Sequence, residues 1–257
     1  MHTPIGGASG PAGPGLRVPA TGSMIGIEIM ALKVYDYRSD IANLLVTPQI
    51  RCRFLKMAVG QFNAGHTHDL GHEIFLILQG RAEFDIDGER AVLGPGELCI
   101  ALTDQHHTVR NVGDEEVVMF LSVTPHIQPT HTFWNEDGSR KPPRFAAATA
   151  YDRQPDRTTP TGALAARQSA AAAAVTRAAA AAEQVQREQL TGYRRAVDAG
   201  DEAAAHAARN AMWAVLSELF GRTMELAAAW NDFAARSVDP HEADLPAGSA
   251  QPGGAAP

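Results

Sequence analysis

Cysteine is scarce in this chain: Cys52 and Cys99 are the only two among 257 residues. Neither sits in a CxxC or other finger-like spacing, which excludes a disulfide framework and a cysteine-rich zinc finger; two buried free thiols in a reducing compartment are expected. Lysine is nearly absent as well. Lys33, Lys56 and Lys141 are the only three of 22 basic residues, the rest being arginine. With the heavy use of alanine, this is a compositional bias rather than a functional signal. The formal charge of −7 lacks the basic excess that phosphate neutralisation requires, so no nucleic-acid partner is expected. Long hydrophobic runs are missing too. Nothing approaches the ~20 apolar residues of a membrane helix. The apolar stretch 24–34 is broken by Glu28 and has no basic region before it. No membrane partner is expected, and cytoplasmic placement is the expectation.

What is present divides by composition. Residues 1–23 are rich in Gly, Pro, Ala and Ser and are expected as a disordered N-terminal tail; Met1, Met24 and Met30 are alternative starts. Residues 24–135 read as an all-β unit. Strands are expected over 51–59, 73–78, 82–86, 90–93, 98–102, 108–111 and 116–123. The turns between them carry Gln79-Gly80, Asp87-Gly88, Gly94-Pro95-Gly96 and Val112-Gly113-Asp114. Asp-Gly between alternating runs is a strong hairpin signal. Many short strands at this spacing predict a closed jelly-roll barrel, which also removes exposed edges. Residues 136–162 hold several prolines and predict a linker or arm over the barrel; just before them His131, Phe133 and Trp134 are read as its aromatic anchors.

From 163 to 237 the chain turns to Ala, Arg, Glu and Gln, strong helix formers. Asp198-Ala199-Gly200-Asp201 supplies a C-terminal cap and the next N-cap, so an α-helical hairpin is predicted. Its second helix carries an apolar stripe of Met212, Leu216, Leu219, Leu226, Trp230 and Phe233, flanked by Trp213 and Phe220. The first has a narrower stripe of Val175, Ala178, Ala182 and Val185. Helices of about 50 Å outreach a small barrel, so the hairpin is expected to pair with a second copy in a homodimer. Residues 238–257 return to Pro, Gly and Ala and predict a disordered tail.

The chemistry concentrates in His66-Thr67-His68-Asp69-Leu70-Gly71-His72-Glu73. His66 and His68 stand two apart and share a strand face; Glu73 opens an apolar run of strand length. Two imidazoles and a carboxylate facing one interior suit a divalent metal, and His107 is a fourth candidate after the next hairpin. His72 and His106 adjoin these residues and face the opposite side by strand alternation. Phe75 and Ile77 share the face of Glu73; with Phe62, Phe54 and Met119 they are expected to wall an apolar substrate pocket.

The spacing of Gly60, His66, His68, Glu73 and Gly80 resembles the first signature of the cupin family. Gly96, His107 and Asn111 resemble the second. Leu102 and Asp104 stand where the family has proline and glycine, which predicts a differently shaped turn before His107. The resemblance implies a jelly-roll barrel in which His66, His68, Glu73 and His107 hold one Fe, Mn, Ni, Co or Zn ion, with Glu73 also able to shuttle a proton. Three imidazoles and one carboxylate leave two positions open in an octahedral shell, an arrangement for reactivity rather than closed structure. The expected function is therefore a metal-dependent, dioxygenase-like oxidoreductase acting on a small organic molecule, with Fe or Mn favoured. A small-molecule sensor with a partner-binding hairpin and a metal-dependent isomerase or epimerase are the alternatives. The fold hosts many reactions and does not choose among them.

Overall fold

Asp87 and Gly88 turn strand β5 (Ala82–Ile86) back into β6 (Glu89–Leu93) with φ of 51° and 87°. Positive φ at both central residues is the geometry of a two-residue type I′ hairpin. The remaining strands are β1 (Asn43–Val46), β2 (Arg51–Met57), β3 (Phe62–His66), β4 (His72–Gln79), β7 (Leu98–Ala101), β8 (His107–Asn111) and β9 (Val117–Thr124). The computed structural model describes residues 32–239. The chain divides into residues 1–34 and 35–257, and everything below concerns the second unit. The expected tails and alternative starts lie outside the described residues, apart from Val238 and Asp239, which hydrogen-bond back to the Ala235 carbonyl.

The strands form two antiparallel sheets, one ordered β1-β2-β9-β4-β7 and the other β3-β8-β5-β6. Between them lies the core, which includes Met57, Phe75, Ile77, Phe84, Val109, Val117, Met119 and Leu121. This is the predicted jelly-roll sandwich, with β1 and the Phe62 end of β3 added to the expected strands. Gly80 ends β4 at φ 76°, where an added Cβ would lie 2.7 Å from the Glu116 carbonyl oxygen. Only glycine fits there, because both the backbone conformation and the space exclude a side chain.

Residues directly opposite in an antiparallel ladder share a face. Arg51 pairs with Val123, Val123 with Glu73, and Glu73 with Ala101. The next inward row is Arg53, Leu121, Phe75 and Cys99. This register corrects two pocket assignments. Phe54 pairs with Phe120 on the outer face and packs edge-on to its ring. Phe62 is 47% exposed with the Arg110 guanidinium 4.7 Å above it, so it walls no interior. Ile77 and Met119 do point inward but are wholly buried core.

Beyond β9 the chain runs without regular structure to a single 3₁₀ turn (Ala148–Tyr151), then into helices α1 (Thr161–Ala199) and α2 (Glu202–Arg236). Gly200 caps α1 at φ 69°, and the Asp201 carboxylate accepts from the Ala204 N–H at 3.0 Å. The break therefore falls where the sequence placed it. Ala182 is buried in the first stripe, whereas Trp213 and Phe220 are exposed. The base of α2 clasps the segment after β9. Asn231 donates to the His126 carbonyl and accepts from the Gln128 N–H, both at 2.9 Å, and the Trp230 indole donates to the Gln128 carbonyl. No helix of the described residues is long and apolar enough to cross a membrane.

Candidate metal centre

His66 closes β3 directly opposite His107, the first residue of β8. Glu73 reaches toward them from β4 in the facing sheet, and His68 follows the isolated bridge between Thr67 and Thr132. The four side chains bring one donor atom each to within 4.8 Å of the others. Glu73 Oε2 lies 2.8 Å from His68 Nε2, 2.9 Å from His107 Nε2 and 3.8 Å from His66 Nε2. His68, Glu73 and His107 are buried, and His66 is half-buried. The four residues that sequence spacing selected thus converge on one point.

Each imidazole is oriented from behind by a main-chain carbonyl. Nδ1 of His66 meets the Ala64 oxygen at 3.0 Å, that of His107 meets the Gln105 oxygen at 3.0 Å, and that of His68 meets the Thr130 oxygen. A carbonyl only accepts, so every Nδ1 carries the proton and every Nε2 of a neutral ring presents a lone pair. Three lone pairs then face one carboxylate in a dry site, an arrangement that is untenable without positive charge between them. His66 Nε2 is buried without a hydrogen-bond partner. Metal–ligand bonds of about 2.1 Å at right angles would hold neighbouring donors ~3 Å apart, close to the spacing seen. The donor set fits one divalent ion.

Burial pushes the Glu73 carboxyl up, but without a metal, hydrogen bonds from protonated Nε2 atoms of His107, His66 and His68 outweigh it and hold the group well below the usual carboxylate range; a cation takes the place of those protons. A dry carboxylate kept ionised is what a cation site needs. Cys99, facing inward beside Phe75, goes the other way. Burial, then the charge of Glu73, pushes its thiol up to about 12, so it offers no thiolate near neutral pH.

The two adjacent histidines face away, as alternation predicts. His72 Nδ1 accepts the Thr103 N–H at 3.0 Å on the exposed side. The His106 ring lies over Gly65, where an added Cβ would meet its Nε2 at 2.2 Å. The turn before His107 also accommodates its departure from the family pattern. Asp104 adopts φ 64°, a glycine-like conformation, and its N–H donates to the His68 carbonyl at 3.0 Å.

Sequence reading undervalued the segment after β9, which does more than anchor. Thr130 orients His68, and the His131 ring lies 4.6 Å from that of His66 and 5.0 Å from that of His68. Phe133 stacks on His131, and the Trp134 indole donates to Thr67 Oγ1 at 3.3 Å. Burial, then the nearby His66 and His68, pushes His131 down to about 3, so it stays neutral. The signal was the His-x-Phe-Trp cluster in a segment otherwise poor in aromatics. Of the expected pocket wall, Phe75 touches the site, its ring 5.8 Å from that of His107.

Residues 53–124 match the family model described as Cupin domain. Over 91 residues the chain is 33% identical to polyketide synthase CurC of Streptomyces cyaneus, covering 34% of this chain and 59% of that protein. The chain thus spans less than two thirds of this curated relative. Among solved structures, a double-stranded β-helix protein from Klebsiella pneumoniae is 22% identical, covering 37% of this chain and 91% of that one at a TM-score of 0.35. KdgF from Halomonas sp. is 24% identical, covering 33% and 76% at a TM-score of 0.31. Oxalate oxidase in complex with glycolate is 24% identical, covering 30% and 42% at 0.29.

Proposed function

We propose, from the premise that residues 53–124 form a cupin domain, that this protein is a metal-dependent, dioxygenase-like oxidoreductase acting on a small organic molecule inside the barrel. The observation that carries the reading is the convergence of three Nε2 atoms and one carboxylate, all within 4.8 Å, on a buried point. An ion held by four protein ligands has room in its shell for further ligands, and iron or manganese would supply redox chemistry there. His66, His68 and His107 act as neutral donors whose protons are fixed on Nδ1. Glu73 supplies the anionic ligand and, as the carboxylate of the set, can hold or pass a proton at its oxygen. The His131 and Phe133 rings pack 4.6 Å and 5.8 Å from that of His66 and narrow access on that side.

The test is oxygen uptake by the full chain loaded separately with iron, manganese, nickel or cobalt, over a panel of small acids, phenols and, given the likeness to CurC, polyketides. Uptake above background in the iron or manganese form is expected. Background rates throughout, with bound metal confirmed, would overturn the oxidoreductase reading.

A ligand-sensing reading is favoured by one further observation. The segment that orients His68 through Thr130 is the same one that α2 grips at His126 and Gln128. Ligand retained without turnover would support it.

The hairpin we infer to be a self-association element. Trp213 and Phe220 are 61% and 55% exposed and seven residues apart on α2; Leu190 and Val197, 45% and 54% exposed, repeat that spacing on α1. A second copy is the occupant, because exposed apolar residues seven apart on each helix have the spacing of a helix–helix seam. The double substitution Trp213→Glu, Phe220→Glu is expected to give a monomer by light scattering with the barrel's circular dichroism intact. A wild-type monomer, or an unchanged dimer mass in the variant, contradicts the assignment.

A further inference from the structure

Strand β2 begins Arg51-Cys52-Arg53, and the ladder places both arginines on the inner face with Glu73. Arg51 occupies the row of Glu73, two strands away, roughly 10 Å at ordinary interstrand spacing. Arg53 occupies the row of Phe75. Arg51 is 6% exposed, and the buried Nε of each arginine has no hydrogen-bond partner. Among the described residues, neither guanidinium forms an ion pair with a carboxylate within 4.0 Å.

Asp152 and Glu73 act on Arg53 only from beyond ion-pair distance. The Arg51 guanidinium lies 5.6 Å from the Tyr151 ring centroid, and that ring packs edge-on to the buried His126. Asp152 is the nearest acid on the arm, but its Oδ2 already accepts from the Asn43 N–H at 2.7 Å and its Nδ2 at 2.9 Å. Glu73 is engaged by His68 and His107. Burial, then the charge of Arg51, pushes Arg53 down from the usual guanidinium range. Two like charges side by side, Arg51 buried and Arg53 half-buried, with no carboxylate in contact are costly, and arginine does not escape by losing its proton near neutral pH. Adding a cation at the metal centre makes the same interior more positive still.

We propose that Arg51 and Arg53 are an anion-recognition pair and that the barrel's substrate is a small carboxylate. This deepens the function proposed above and rests on its assignment of the substrate to the barrel. A planar guanidinium fork matches a carboxylate with two parallel hydrogen bonds. The carboxylate is held at the β2 side while the remaining carbons reach toward His66, His68, Glu73 and His107. Leu121 and Val123 between the arginines and Glu73 favour a short carbon chain over a hydrated phosphate.

The test uses the full chain with manganese supplied and follows the thermal midpoint in acetate, succinate, inorganic phosphate and the neutral succinamide at matched ionic strength. Wild type is expected to be stabilised by a carboxylate and not by succinamide. Arg51→Met and Arg53→Met are expected to lose that response, with carboxylate affinity falling ~10- to 100-fold each. Arg53→Lys keeps the charge and recovers part of it. Without ligand, both methionine variants should bind as much manganese as wild type, and Arg51→Met should melt no lower, since an unpaired buried charge has been removed. Stabilisation of wild type by phosphate alone, by succinamide equally or by nothing overturns the inference. So do methionine variants that respond as wild type does. A carboxylate response that depends on the arginines in a protein that binds no metal would defeat the metal reading and leave the anion pair standing.

Discussion

Replacing Asn111 by alanine is expected to lower folding stability by about 3–5 kcal/mol without touching a metal ligand. Asn111 is 2% exposed at the end of β8. The two protons of its amide nitrogen are shared among the carbonyls of Glu115 at 2.8 Å, Ala58 at 3.1 Å and Met57 at 3.3 Å, while its oxygen accepts the Gly113 N–H at 3.0 Å. One side chain thus fastens the end of β2, the end of β8 and the turn into β9. Removing it strands several main-chain groups that cannot reach water; each costs about 1–3 kcal/mol, and a small cavity adds to the loss. Urea unfolding should show a lower midpoint with an unchanged slope. Asn111→Asp should be no better, because a carboxylate cannot donate to three carbonyls. A loss below about 1 kcal/mol would mean that the turn closes by other means.

Glu73→Gln is expected to weaken metal binding by more than ~100-fold, beyond the 10- to 100-fold typical of groups that merely support a ligand. Glutamine keeps the shape, so the core around Phe75 survives. What changes is charge. Glu73 is the carboxylate of the donor set, buried and held ionised by three imidazoles. Without it, a divalent ion would meet neutral donors alone in a dry interior, with two arginines already facing inward. Metal retained against a chelator, compared between the variant and wild type, gives the answer. Equal retention would remove Glu73 from the set of ligands.

The convergence of His66, His68, Glu73 and His107 was legible because spacing and strand alternation together fix where a side chain points. His66 and His68 two apart, then Glu73 leading an apolar strand, leave little freedom. Alternation also set His72 and His106 aside correctly. It failed where the pattern was two-sided. In Arg51-Cys-Arg-Phe-Leu-Lys-Met, placing Phe54 inward sends both arginines to solvent, and that was the natural reading. Pairing with β9 shifts the choice by one residue, which exchanges the faces completely. Phe54 then meets Phe120 outside, and Arg51 and Arg53 turn inside.

Strand character was expected at His66, but the extent of β3 back to Phe62 was not, because Phe62-Asn-Ala-Gly-His has no inward apolar alternation and a register shift between Asn63 and His66. Its strand character comes from pairing with β8, a partner remote in sequence. The hairpin was easier, since the Gly200 and Asp201 caps are local chemistry. The segment after β9 was not. Its fold depends on contacts with Asn231 and Trp230 about a hundred residues later, which no local pattern announces.

The measurement that tests the central claim most directly is elemental analysis of the full chain purified without a metal-affinity tag, beside a His66→Ala, His68→Ala double variant. One equivalent of iron or manganese per chain in wild type, absent from the double variant while its circular dichroism stays that of a folded barrel, is the predicted result. A wild-type protein free of metal after growth in metal-replete medium, or a double variant that keeps its full equivalent, would contradict it.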